Sequence, residues 1–183
     1  MLDQNPYQTI RQKQVYKTPW VAVREDAIIH PDGQSGIYSV VELPGFAVIL
    51  PVAEDGRIHL VRLWRYPIAA YSWELPMGRV DEGEDARQAA ERELGEETGL
   101  MAAEWQALGK VSSMNGAADN YGWAFVAKGL TGVIGQRDSE IQQSHLFSLA
   151  EISTMMEQGL LHDAETMAVL WLAAMKGVIT IKS

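Results

Sequence analysis

The chain has 183 residues and a formal net charge of -9, with 24 acidic against 15 basic side chains, 47% hydrophobic and 21% charged residues. Such a length and composition suit one globular domain, or a domain with an appendage, and exclude disordered and fibrous classes, while the acidic balance argues against long nucleic acid as a partner. With no cysteine, disulfides, thiolate catalysis and cysteine-based zinc sites are excluded as well.

The first ten residues, MLDQNPYQTI, are polar and lack the apolar stretch of a signal peptide. Near the other end, the apolar run at 167–175 is too short to span a bilayer. A cytoplasmic location without membrane contact is therefore expected. Apolar residues at 21, 23, 27 and 29 predict a strand over 21–29, and Pro31, Asp32 and Gly33 supply turn chemistry before a strand over 37–43. The continuous apolar run at 46–52 fits a strand buried on both faces, followed by a hairpin turn at Glu54, Asp55 and Gly56. Ile58, Leu60, Leu63 and Trp64 mark another strand. A helix is predicted over 84–98, with Glu84 and Asp85 at its positive end and Gly99 where a C-terminal cap belongs. Strands are expected at about 104–113, 121–127 and 144–148. Helices follow at 149–158 and 163–175, the second with Met167, Leu170, Trp171 and Ala174 on one face. The class is α/β or α+β, with residues 1–43 as a strand-rich extension and 44–183 as the main domain.

The charge is concentrated. Residues 81–97 hold eight carboxylates against Arg87 and Arg92, an excess of six out of the net nine. At about 100° per residue, Ala86, Ala89 and Ala90 share one side of the predicted helix. Glu93 and Glu97 continue that stripe, with Glu96 at its border. Small alanines let a helix pack close, and carboxylates on the packed side need compensation. One reading is a solvated face where the helix emerges. The other is a cation site, because the i, i+3, i+4 spacing makes three carboxylates converge and repel. Hard divalent cations take oxygen ligands, so Mg²⁺ or Mn²⁺ would be the occupant. On spacing alone both readings stand.

Gly78, five residues, Glu84, seven residues, then Arg92-Glu93-Leu94-Gly95-Glu96-Glu97-Thr98-Gly99-Leu100 resembles the Nudix box at every defined position. The resemblance implies the Nudix fold, a mixed β-sheet sandwiched between helices, and a Mg²⁺-dependent hydrolase of a nucleoside diphosphate linked to another moiety. It implies Glu93 and Glu97 as metal ligands, joined by the carbonyl of Met77. Glu96 would act as a further ligand or hold a water. Arg92 would pair with Glu84 or Glu96 and orient the cluster, and Gly78 and Gly99 would be backbone positions with special geometry.

The flanks resemble the ADP-ribose and nucleoside-diphosphate-sugar pyrophosphatase branch. They comprise residues 61–67 leading into Trp73-Glu74-Leu75-Pro76-Met77-Gly78, residues 159–166 leading into an apolar helix, and residues 19–26 with 31–33. That branch usually carries a proline in the loop beyond the box, where residues 114–120 have none. The implied substrate is thus the wider class of nucleotide sugars, cleaved by in-line attack of water to a nucleoside monophosphate and a sugar phosphate. The branch often takes its catalytic base from a later loop. Glu140 is the candidate, Asp138 the second choice and Glu96 the fallback. Arg65 is a candidate for a phosphate or sugar hydroxyl, Trp20 for stacking on a nucleobase or for an interface, and Glu74 for contacting base or ribose or bracing the Gly78 turn. Members are commonly homodimers joined through N-terminal strands, for which Tyr7, Val15, Tyr16 and Trp20 would serve. Two other readings stand beside this one. One is a non-catalytic ligand sensor of the same fold, disfavoured by the retained Glu84, Glu93, Glu96 and Glu97. The other is a triphosphate or RNA-cap pyrophosphatase, disfavoured by the acidic surface and the N-terminal extension.

Overall fold

A glycine turn and one partly exposed arginine organise the first part of the chain. The structure, a computed structural model, describes residues 4–132 and 138–180; residues 1–3, 133–137 and 181–183 lie outside the described residues. The chain divides into two units: residues up to Pro44 together with Met114–Asn120, and Gly45–Ser113 together with Tyr121 onward. In the first unit, β1 (Gln8–Lys17), β2 (Ala22–Ile29) and β3 (Ser35–Glu42) form an antiparallel sheet in that order. The strand β1 has no counterpart among the predicted elements. All ten of its residues are exposed, so no buried face imprints an apolar period on the sequence. The turn joining β2 to β3 falls at Gly33 as predicted, with φ 84°. Arg24 is the anchor of this unit, pairing with Asp26 at 3.0 Å, Glu42 at 2.8 Å and Asp119 at 3.5 Å. Residues 114–120 belong here because the Val41 amide donates to the Ala117 carbonyl at 2.7 Å and the Leu43 amide to Asp119 at 3.4 Å.

The second unit is built on β4 (Phe46–Pro51), the strand predicted to be buried on both faces. With β7 (Met77–Arg79), β8 (Leu100–Val111) and β9 (Gly122–Gly132) it makes a four-stranded sheet in the order β7-β4-β9-β8. The β4–β9 pair is parallel and the other pairs are antiparallel. Side chains alternate along β4. Ala47 and Ile49 pack with Ala89, Ala90 and Leu94 of α1 (Ala86–Thr98), while Val48 and Leu50 pack with Val169, Leu170 and Ala173 of α3 (Ala164–Met175). A mixed sheet between helices is the result. After the turn at Gly56, φ 82°, β5 (Ile58–Arg65) leaves for a second sheet with β6 (Ala70–Glu74) and β10 (Ile141–Phe147), in the order β10-β5-β6. One turn of 3₁₀ helix at Tyr66–Ile68 joins β5 to β6. The helix α2 (Leu149–Glu157) buries Ile152 and Met155 in the same core as Ile58 and Leu60.

The face of α3 differs from the predicted one. Thr166, Val169, Leu170 and Ala173 are its buried residues, while Trp171 is 63% exposed and Met167 38%. Apolar residues surround this helix on nearly all sides, so its period could not choose between two stripes one residue apart. Among the described residues no helix is long and apolar enough to cross a membrane.

Ala89 and Ala90 are fully buried against β4, which sets how close α1 lies to the sheet. Replacing Ala90 by leucine should overpack this contact and cost about 1–3 kcal/mol in a denaturant unfolding measurement. A cost near zero would show that α1 tolerates a wider spacing.

Candidate active site on the acidic helix

The helix α1 starts after the two acidic residues predicted to open it. Asp85 is its cap, accepting the Arg87 and Gln88 amides at 2.8 Å each, and the Gln88 side chain accepts the Asp85 amide at 2.8 Å. This reciprocal capping box satisfies amides that the first turn leaves free. Glu84 therefore stands outside the helix, where it accepts the Asp81 amide at 3.2 Å and pairs with Arg92 at 3.0 Å. At the other end Gly99 takes φ 71° and donates to the Gly95 carbonyl at 2.9 Å, a left-handed cap that glycine adopts without strain.

Between these caps the stripe of alanines is drawn into the sheet and takes carboxylates with it. Glu97 is only 8% exposed and accepts the Met77 amide at 3.1 Å. Burial first, and the neighbouring charge of Glu93 second, push its carboxyl up to about 8. Burial also raises Glu93, against the pull of Arg92. Glu93 lies over Gly78 so closely that a Cβ there would fall 2.0 Å from its Oε1. Gly78 is thus required by contact rather than by backbone angle.

Arg92 was expected to pair with Glu84 or Glu96; it pairs with both. Its guanidinium meets Glu93 at 2.7 Å, Glu84 and Glu96 at 3.0 Å and Asp81 at 3.8 Å, and donates to the Arg79 carbonyl at 2.8 Å. Its hydrogen bonds to Glu84, ahead of those to Glu93 and Glu96, hold it well above the ordinary arginine range. The contact to Arg79, and Asp81 as a fourth partner, were not foreseen, since they depend on how the loop before the helix folds back.

One guanidinium facing four carboxylates leaves a surplus of negative charge, to which Glu97 adds when it gives up its proton. Among the described residues no three His, Asp or Glu side chains are already gathered around one point as a cation cage. Glu93 and Glu97 stand as a pair and Glu96 is turned to Arg92. The donor set still suits a hard divalent ion. Two buried carboxylates repel each other against the Met77 and Gly78 backbone, and an ion would relieve both the repulsion and the desolvation.

Arg65, at the end of β5, closes over Glu74 of β6. Its Nε lies 3.0 and 3.2 Å from the two Glu74 oxygens, and its Nη2 also bonds the same carboxylate. Glu74 is 2% exposed while the Arg65 side chain is 39% exposed. Glu74 thus holds Arg65, and Arg65 presents the accessible edge. The charge of Glu97 acts on Arg65, so the pair borders the carboxylate site. The later loop also reaches the helix: the Asp138 amide donates to the Glu96 carbonyl at 2.8 Å, and Asp138 accepts the Glu140 amide at 2.9 Å. Both side chains are exposed. Trp20 belongs to the N-terminal unit, on the turn between β1 and β2, and is 66% exposed. Asp163 and Thr166, within the 159–166 segment that carried the branch resemblance but given no role there, stand at the start of α3, where Thr166 accepts the Leu75 amide at 2.9 Å and donates its own amide to Asp163 at 2.7 Å.

The family model described as the NUDIX domain matches residues 42–170. The chain belongs to the Nudix family. A second model, the nucleoside diphosphate sugar hydrolase N-terminal domain, matches residues 7–41. The methanol dehydrogenase activator of Bacillus methanolicus is 28% identical over 161 residues, 86% of this chain and 87% of that protein. The ADP-ribose pyrophosphatase of Bacillus subtilis is 25% identical over 163 residues, again 86% and 87%. A crystal structure of an ADP compounds hydrolase superposes with a TM-score of 0.83 over 99% of this chain and 100% of that one, at 20% identity, which speaks to the fold. By family the chain is a Nudix pyrophosphohydrolase, and α1 is its Nudix helix.

Gly78→Ala should displace the end of the Glu93 side chain while leaving the fold in place. The expected outcome is a roughly 10–100-fold loss of hydrolase activity, with unfolding free energy changed by less than about 1 kcal/mol. Wild-type turnover in this variant would show that the contact between Glu93 and Gly78 is irrelevant to the reaction.

Proposed function

We propose that the chain hydrolyses the diphosphate bond of a nucleotide sugar, ADP-ribose or a nucleoside diphosphate hexose, with Mg²⁺ as the working ion and Mn²⁺ as a substitute. The observation that carries this reading is the buried Glu97 beside the partly buried Glu93, packed on the backbone of Met77 and Gly78 in a cluster with more carboxylates than Arg92 balances. The N-terminal match to a nucleoside diphosphate sugar hydrolase model supports the substrate class, as does the ADP-ribose pyrophosphatase among the relatives.

Glu93, Glu97 and the Met77 carbonyl would hold the ion, with Glu96 exchanging Arg92 for it. Bound there, a divalent cation supplies neutralisation of the diphosphate charge and polarises the phosphoryl oxygens. Arg65, stiffened by Glu74, offers its accessible edge to a phosphate oxygen. Glu140, on the loop tied to Glu96 through Asp138, takes the proton from the attacking water as its oxygen bonds to phosphorus. The bridging oxygen departs with the other phosphate, giving a nucleoside monophosphate and a sugar phosphate. Asp138 is the second choice for the base. A second copy of the chain would cover the exposed β1, with Ile10, Val15 and Tyr16 each more than half exposed. A cytoplasmic setting accords with the absence of cysteine.

A panel of nucleotide sugars, ADP-ribose, dinucleotides and triphosphates, scored for monophosphate release, tests the substrate class. Release from nucleotide sugars, abolished by a chelator and restored by Mg²⁺, is the expected result; no cleavage of any diphosphate would favour a ligand sensor. Glu97→Gln should lower turnover by at least about 100-fold, beyond what loss of a residue behind a ligand costs. Glu140→Gln should lower kcat roughly 10²–10⁴-fold and remove the acid limb of its pH profile. If Asp138→Asn does so instead, the base is Asp138. Sedimentation showing only a 20.3 kDa species at micromolar concentration would overturn the dimer.

A further inference from the structure

Residues 75–77 run between β6 and β7 and carry the Met77 amide to Glu97, and two side chains hold them. The Leu75 amide donates to Thr166 Oγ1 at 2.9 Å, and the Met77 amide donates to Glu97 at 3.1 Å. Between them Pro76 has no amide hydrogen; its carbonyl accepts the Ile49 amide of β4 at 2.9 Å. The segment is therefore clamped by α3, β4 and the Nudix helix in succession. Thr166 is fully buried and sits in the first turn of α3. Its amide donates to Asp163 at 2.7 Å. A hydroxyl has lone pairs as well as a hydrogen, and toward Leu75 it is a lone pair that receives the amide.

A helix cap does not need this arrangement. Asp163 already caps α3 through the Thr166 amide, and a valine at 166 would fill the same space. The hydroxyl is used for something outside its own helix: it fixes the backbone at Leu75, two residues before the Met77 amide that Glu97 accepts.

We propose that Thr166 is a positioning residue for the metal-holding end of the Nudix helix, its hydroxyl fixing residues 75–77 so that Met77 meets Glu97. The inference rests on the reading of Glu93 and Glu97 as the metal pair. It reaches the site through backbone, without contact to ion or substrate, as outer partners of metal ligands do.

Direct Mn²⁺ binding to the whole protein, together with amide hydrogen exchange of the metal-free protein, tests it. Thr166→Val should weaken Mn²⁺ binding roughly tenfold or more and speed exchange at Leu75 and Met77, while Thr166→Ser keeps both near wild type. Ala173→Gly, buried in the same helix, should lose stability yet leave Mn²⁺ affinity and those two amides unchanged. Thr166→Ala also removes the hydroxyl and should shift both readouts in the same direction; it serves if Thr166→Val does not fold. Wild-type Mn²⁺ affinity in folded Thr166→Val or Thr166→Ala protein would overturn the proposal, as would unchanged exchange at Leu75 and Met77. If wild-type Mn²⁺ binding survives Glu97→Gln, the metal reading itself falls, and the exchange data alone still decide whether Thr166 tethers the segment.

Discussion

Everything around the Nudix helix is arranged about a carboxylate that ought not to be buried. Glu97 sits inside the fold beside a second partly buried carboxylate, with one backbone amide as its hydrogen-bond donor. Removing a carboxylate from water is costly, and the upward shift of its carboxyl to about 8 expresses that cost. The sheet imposes it. Ala89, Ala90 and Leu94 are drawn fully into the interface with β4, and on a rigid helix the residues one turn further along the same stripe must follow. Packing energy over one half of α1 thus holds charge in place over the other half.

Three local devices accommodate that charge. Gly78 removes a Cβ where Glu93 lies, the Met77 amide points at Glu97, and Arg92 gathers the carboxylates that face outward. Arg92 keeps Glu84 and Glu96 from adding to the repulsion inside, but it is one cation among four anions. In the proposed function the remainder is what would receive a divalent ion, and through it a diphosphate that the chain's net charge would otherwise repel. Arg65 adds a positive edge at the border of the site, braced by the buried carboxylate of Glu74.

Much of this was legible in the sequence, because short-range patterns carry it. The run at 46–52 announced a strand buried on both faces, the turns at Gly33 and Gly56 came where predicted, and the alanine and glutamate stripe identified one face of α1 with its capping glycine. Other features were not legible, each for a stated cause. The strand β1 hides no face and so leaves no apolar period. The helix α3 is apolar nearly all round, and its buried stripe was read one residue out of register. Glu84 was placed with Asp85 inside the start of the helix, whereas the Asp85 and Gln88 box starts it two residues later, at Ala86, and leaves Glu84 outside in the pairing with Arg92 that the sequence had suggested.

What the sequence determined by itself is the identity of the chemistry: the family's box, the one-turn spacing of Glu93 and Glu97, and the local excess of charge, all properties of residues close along the chain. What only the tertiary structure decided is where each of those groups points and what stands behind it. Leu75 and Thr166 are far apart in the chain, as are Glu96 and Asp138, and sequence spacing says nothing about pairs whose closeness depends on how helices and strands pack. Glu74 shows the same division within a single residue. Its type and position suggested contact with base or ribose or a brace for the Gly78 turn; only the fold shows it buried beneath Arg65, where an enclosed carboxylate finds the cation it needs.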